Sequence, residues 1–155
     1  MKIEHRIGIT ADTDSIWEVL SDLEHWGDWC PLYPRAVGTI RIGEVLDIDE
    51  HVPGLKLRNI RPVVLDWAPY DHIHWRSSMM RGWVKSVRFL EIEELAPGSC
   101  IFSNGELFSG FLTRYAVPRH IRFMIRDGFT AFGEALKVEA EKRWQARRAD
   151  TTSGA

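Results

Sequence analysis

The stretch from residue 118 to about residue 148 limits what this chain can fold into more than any other part of the sequence. Its apolar residues Ile121, Ile125, Phe129, Phe132, Leu136 and Ala140 recur at helical spacing and make one stripe along a helix of roughly eight turns. Arg119, Arg122, Arg126, Glu134, Lys137, Glu141 and Lys142 lie off that stripe. A long helix with a single apolar stripe needs a broad surface to cover it. The chain that precedes it supplies one. From residue 35 to residue 108 the sequence reads as strands over 37–41, 45–51, 56–67, 73–78, 84–93 and 99–108, punctuated by Gly43, Pro53-Gly54, the turn Ala-Pro-Tyr-Asp and Ala96-Pro97-Gly98. The connections are short, so the strands are expected to run antiparallel.

The start of the chain adds one strand and two short helices. Residues 2–9 alternate, with Ile3, His5, Ile7 and Ile9 on one face. Asp12 stands where a helix N-cap belongs, Asp14 adds charge to the first turn, and Ile16, Trp17 and Leu20 follow at helical spacing, predicting a helix over 14–21. The segment LEHWGDWCPLYPR, with two Pro and a Gly, holds only a helical turn or two before becoming irregular. Together these elements predict an α+β fold in which a curved antiparallel sheet of about seven strands wraps around the terminal helix. Gly128 and Gly133 inside that helix each cost about 1 kcal/mol relative to Ala, which either close packing or room for a ligand explains.

Composition narrows the function classes. At 155 residues the chain is the size of one domain with a sufficient core. Its 20 Lys and Arg against 22 Asp and Glu give a net charge of −2, too little for a field that attracts nucleic acid or anionic membranes. Cys30 and Cys100 match no disulfide framework and no CxxC metal site, and suit a reducing compartment. No leader peptide and no apolar run of about 18 residues is visible. A cytoplasmic protein without integral membrane association is expected.

The order of elements, together with DSIWEVLSDLEHWGDWCP near the start and ELFSGFLTR before the last helix, resembles the START-like helix-grip superfamily. Within it the sequence is most similar to the SRPBCC group that includes polyketide cyclase/dehydrase-type proteins. The likeness runs from Lys2 to about Arg143. Its marks are diffuse: the aromatic and proline residues from Trp29 to Pro34, Pro69 followed by Trp75, and the corner Phe108-Ser109-Gly110. It implies one START-like domain over 1–148 with a polar, disordered tail over 149–155. It further implies a cavity between sheet and helix that holds lipid-, sterol- or polyketide-like molecules without a cofactor, in a monomer or weak homodimer.

Strand parity nominates the lining of that cavity. In 56–67 the more apolar parity is Leu57, Asn59, Arg61, Val63, Leu65 and Trp67. If it faces inward, Arg61 needs a buried partner, and Glu106 offers one from the parity of Phe102, Asn104 and Phe108. A bulge in the strand would instead turn Arg61 to the outside. Ile73 and Trp75 share the inward parity of the next strand, Trp83 begins the one after beside Met79-Met80, and Ile125, Phe129, Phe132 and Leu136 supply the helix side. His72 and His74 form an HxH pair for which the sequence identifies no third ligand, so they are expected to face solvent and no metal is assigned. Catalysis, if present, falls to Arg61, Glu106 and His120, the last at the start of the long helix.

The leading expectation is thus a module that binds a hydrophobic small molecule. The alternatives are a cofactor-free cyclase or dehydratase using Arg61 and Glu106 in the same cavity, and a protein-interaction module.

Overall fold

The computed structural model describes residues 1–154. The elements in order are β1 (Lys2–Ile9), α1 (Thr13–Ser21), a 3-10 turn (Leu23–His25), α2 (Trp26–Trp29), β2 (Arg35–Val37), β3 (Asp47–Glu50), β4 (Arg58–Ile60), β5 (Val63–Ala68), β6 (His72–Met79), a second 3-10 turn (Met80–Gly82), β7 (Val84–Ala96), β8 (Ser99–Ser109), α3 (Thr113–Ala116) and α4 (Arg119–Ser153). Asp12 caps α1, its carboxylate accepting from the Ser15 amide at 2.8 Å.

The strands form two antiparallel sheets: five strands in the order β1-β8-β7-β6-β5, and three in the order β2-β3-β4. This is the expected grip of a sheet on the terminal helix, with one correction. The sequence suggests a single strand over 56–67, but it breaks at Arg61-Pro62 into β4 and β5, which belong to different sheets. Pro62 has no amide hydrogen to give a ladder, while its carbonyl accepts from Leu46 at 2.9 Å. The Val45–Val63 bridge and the Val64 amide to the Glu44 carbonyl at 2.9 Å stitch the two sheets at this corner. A bulge between Val64 and Asp66 then shifts the register against β6.

α4 lies across the concave side. Phe129, Phe132, Leu136 and Ala140 are buried as the stripe requires. Close packing explains both helix glycines. A Cβ on Gly133 would stand 2.8 Å from Nδ1 of His5 in β1, and one on Gly128 would stand 3.0 Å from Leu32 Cδ1. Lys137 donates to the Gly8 carbonyl at 3.1 Å and the Thr10 amide donates to Glu141 at 2.9 Å, fastening α4 to the end of β1. Arg147 pairs with Glu18 of α1, and Trp144 packs on Gly98 in the β7–β8 turn, where φ is +78°.

The expected tail over 149–155 is corrected as well. The helix continues to Ser153, and the Thr151 and Thr152 hydroxyls donate to the carbonyls of Arg147 and Arg148 at 2.9 and 2.8 Å. These polar residues serve helix bonds of their own, so polarity did not end the helix. Ala155 lies outside the described residues.

Candidate functional site

The middle of the space between sheet and helix is filled. Trp26, fully buried, contacts the rings of Trp29, Tyr33, Trp75 and Phe132 at centroid distances of 5.4 to 6.3 Å. Its indole nitrogen donates to the Leu20 carbonyl at 3.1 Å. Beside this cluster lies Arg88 on β7, only 1% exposed. It donates to Tyr33 Oη at 2.9 Å, to Asn104 Oδ1 at 2.9 Å, and to the Gly105 and Phe89 carbonyls at 2.9 and 3.2 Å. Its guanidinium sits 4.0 Å above the Phe129 ring. Asn104 in turn donates to the Phe129 carbonyl at 3.3 Å, so one polar network ties β7, β8 and α4 together.

Among the described residues, open space between sheet and helix lies beside this cluster, where β3 and β4 approach the start of α4. It has two chambers. The first, about 380 Å³, is lined by Tyr33, Glu50, Arg58, Ile60, Val63, Trp75, Ser77, Met79, Ser86, Arg88 and Glu106 among others. The second, about 180 Å³, is lined mainly by apolar groups, including Val52, Leu55, Phe108, Val117, Ile121 and Ile125. Glu50, Arg58, Met79 and Glu106 border both, so the chambers meet at a charged waist.

The waist has a clear electrostatic order. Glu50, inward on β3 and 6% exposed, is held by half-exposed Arg58 at 2.6 Å. Arg58 also reaches Met79 Sδ at 3.1 Å. Glu106 on β8 has no such pair. Burial pushes its carboxyl above the ordinary carboxylate range and the charge of Glu50 adds to this, while the Ser86 hydroxyl, Arg88 and Arg58 pull it partly back. Burial likewise pushes the Tyr33 phenol well up, against the opposing charge of Arg88. The arrangement is thus one carboxyl with a raised pKa, one paired carboxylate and a guanidinium at the entrance to an apolar chamber.

The structure places the sequence candidates unevenly. Asn59, Arg61, Val63, Trp75 and Glu106 border the larger chamber, and Glu106, Phe108 and Ile125 the smaller. Asn59 and Arg61 are exposed at the rim and do not point inward. Asn59 donates to Asp47 and Asp49 at 2.6 and 3.0 Å, and with Arg35 it holds Asp47 well below the usual carboxylate range. Arg61 makes no pair with Glu106, because the inward parity is the other one: Arg58 and Ile60 pair across from Glu50 and Ile48, and Val64 across from Trp75, so Arg58, not Arg61, stands at the waist. Leu65 is exposed past the bulge, and Trp67 stacks on Trp17 at 6.2 Å, away from the chambers. Trp83 is 54% exposed and packs on Phe111. Ile73, Phe102, Phe129, Phe132 and Leu136 are closed core, Asn104 is spent on Arg88 and the Phe129 carbonyl, and His120 is exposed at the start of α4.

Sequence reasoning missed Tyr33, Glu50, Arg58 and Arg88. For Arg88 a signal existed: it shares strand parity with Val84, Leu90 and Ile92, which marks an inward position. Glu50 shares parity with Ile48 in the same way. Burial raises the thiol pKa of Cys30 to about 12 and of Cys100 to about 11, so neither is an activated nucleophile.

The model of a family described as polyketide cyclase/dehydrase and lipid transport matches residues 1–141. Solved structures share the fold. The aromatase/cyclase Zhui from Streptomyces sp. R1128 superposes with a TM-score of 0.68 at 19% identity, covering 92% of this chain and 94% of that one. A START superfamily protein from Mycobacterium smegmatis gives 0.65 at 18% identity, with 94% and 97% covered. The di-domain aromatase/cyclase StfQ of the steffimycin pathway gives 0.68 at 13% identity over 96% of this chain but 51% of that one, so this chain spans about half its length. No curated protein matches the sequence. Among the described residues no helix is long and apolar enough to cross a membrane.

Proposed function

We propose a ligand-binding function for this chain, which belongs to the polyketide cyclase/dehydrase and lipid transport family. The ligand is a hydrophobic small molecule with one polar end. The observation that carries this reading is the division of the cleft: an apolar chamber of Val52, Leu55, Phe108, Val117, Ile121 and Ile125 opens past Glu50, Arg58 and Glu106 into a polar one. An apolar tail gains by leaving water in the first, and a hydroxyl or carbonyl finds donors and acceptors in the second. The larger volume of about 380 Å³ lies at the low end of ligand sites, roughly 300–1,000 Å³, which favours one small or slender molecule over a bulky polycycle.

A second reading has a specific observation behind it. A carboxyl held toward its protonated form, as burial holds Glu106, together with the Arg58 cation, is what enolisation or dehydration of a carbonyl compound needs on the oxygen side. In this reading the Glu50 carboxylate takes the proton from the carbon beside the carbonyl, and Glu106 gives its proton to the substrate oxygen, which becomes the enol hydroxyl or leaves as water. Arg58 stabilises the negative charge that builds on that oxygen before the proton arrives. Arg61 and His120 take no part.

Native mass spectrometry of the protein purified from its own host tests the first reading. The expected result is a co-purifying apolar molecule that Ile121→Trp, which fills the apolar chamber, removes. An empty protein, or a mass retained in that variant, overturns it. If the bound compound carries a carbonyl, conversion by wild type and its loss in Glu106→Gln supports the second reading. Unchanged conversion in that variant excludes Glu106 from the chemistry. We place the protein in the cytoplasm, as a monomer or weak homodimer with no nucleic-acid partner. The free buried cysteines and nearly balanced charge support this, and light scattering checks the mass.

A further inference from the structure

We propose that Asp66, His72 and His74 bind one divalent transition-metal ion, zinc by ligand type, on the outer face of the five-stranded sheet. The site is separate from the cleft and its existence does not depend on what the cleft holds. The period-2 geometry of β6 sends Ile73 and Trp75 into the core and both histidines to the other face, with ring centroids 4.6 Å apart. β5 pairs Asp66 with His74 directly after its bulge, so the carboxylate comes to the same face. One ligand atom from each of the three residues lies within 4.8 Å of the others. Ligands on one tetrahedral zinc ion, at about 2.0–2.2 Å from it, lie roughly 3.3–3.6 Å apart. The closure on binding is at most about 1.5 Å, which side-chain rotations of these surface residues supply.

The hydrogen bonds around the pair point the same way. His72 meets a carboxylate at each ring nitrogen: Asp71 at Nδ1, 2.5 Å, and Asp66 at Nε2, 3.0 Å. A neutral imidazole has only one N–H to donate. The second contact is satisfied only when a cation occupies it, either a second proton or a metal on Nε2. With a metal there, Asp71 becomes the outer carboxylate that fixes the ring's tautomer and direction. His74 Nε2 lies 2.9 Å from Glu91 of β7, a carboxylate that orients this ring as Asp71 orients the other. Among the described residues, the ion-pair partners of Asp66, Asp71 and Glu91 are these two histidines alone. Three carboxylates without a lysine or arginine leave a local excess of negative charge that a divalent ion neutralises.

The consequence is mechanical. A metal bridging Asp66 of β5 to His72 and His74 of β6 pins the edge strand of the sheet. β5 carries Val63 in the wall of the larger chamber and joins the two sheets through Pro62. Binding replaces protons on the imidazoles, so affinity falls on acidification.

Zinc titration of the chelator-treated full chain by calorimetry near pH 7.5 tests the site, with cobalt absorption to report the ligand geometry. One ion per chain is expected, with binding lost in His72→Gln/His74→Gln. Asp71→Asn, which removes no ligand, is expected to weaken it by about 10–100-fold. His25→Gln, which alters an exposed His–Asp pair elsewhere, is the control and is expected to bind as wild type does. No uptake by the folded wild type, or uptake unchanged in the double variant, overturns the proposal.

Discussion

Glu106 stands opposite the Glu50–Arg58 pair with its carboxyl pKa raised, first by burial and then by the charge of Glu50. The folded state therefore keeps this proton at a pH where the unfolded chain, near 4.5, has released it. Folding binds the extra proton, so this contribution to stability is present below about pH 4.5 and is lost as pH rises through the folded value. Glu106→Gln has no such titration. It is expected to be more stable than wild type at pH 8, by on the order of 1 kcal/mol, with the gain shrinking toward pH 4. Urea unfolding at both pH values checks it, and an equal gain at both refutes the burial of a charge. Arg88 works in the opposite sense, because its four donated hydrogen bonds satisfy groups that have no water to turn to. Arg88→Met leaves them unpaired and is expected to cost about 3 kcal/mol, a fall in Tm of roughly 6–12 °C for a domain of this size. Arg88→Lys restores the charge without the planar fan of donors and is expected to recover only part.

At the level of elements, α4 shows local preference yielding to packing. Alanine in place of a helix glycine gains about 1 kcal/mol from propensity alone. At Gly133 the new methyl would meet two atoms of the His5 ring at 2.8 and 3.0 Å and Ile7 at 3.4 Å, so a whole ring must shift on β1 to admit it. Overpacking of this kind costs about 1–3 kcal/mol, so Gly133→Ala is expected to lower Tm despite the better helix former. At Gly128 the nearest atom is a methyl of Leu32 at 3.0 Å, which has a side-chain torsion to yield with. Gly128→Ala is expected to be near neutral, and thermal melts of the two variants compare them directly. The break at Pro62 is the other decisive event. It divides one hydrophobic run between two sheets, while Arg58 faces Glu50 and Arg61 lies outside because residues 58, 60, 62 and 64 share the inward parity on both sides of the break.

Across the whole molecule, the position of the cleft follows from where the aromatic residues went. Trp26, Tyr33, Trp75 and Phe132 occupy the centre of the grip, so among the described residues the ligand space falls beside β3, β4 and the start of α4. The far end of α4 carries no such duty. Residues 149–154 are exposed, and deletion of residues 149–155 is expected to change stability by no more than about 0.5 kcal/mol, as denaturant titration would show. By itself the sequence determined the order of elements, the inward stripe of α4 and the sheet that covers it. These follow from periods of 3.6 and 2, which are set by backbone geometry within each segment. It also brought Glu106 forward, since β8 is unbroken and its parity can be counted. Only the tertiary structure decided that Glu50, Arg58 and Arg88 meet at the site while Asn59 and Arg61 do not. Which of the two parities of residues 56–64 meets the core is set by the residues they pair with, and a one-residue bulge resets the facing beyond Val64. A charge is compensated by whatever the fold brings near it, here residues 8, 16 and 55 positions away along the chain.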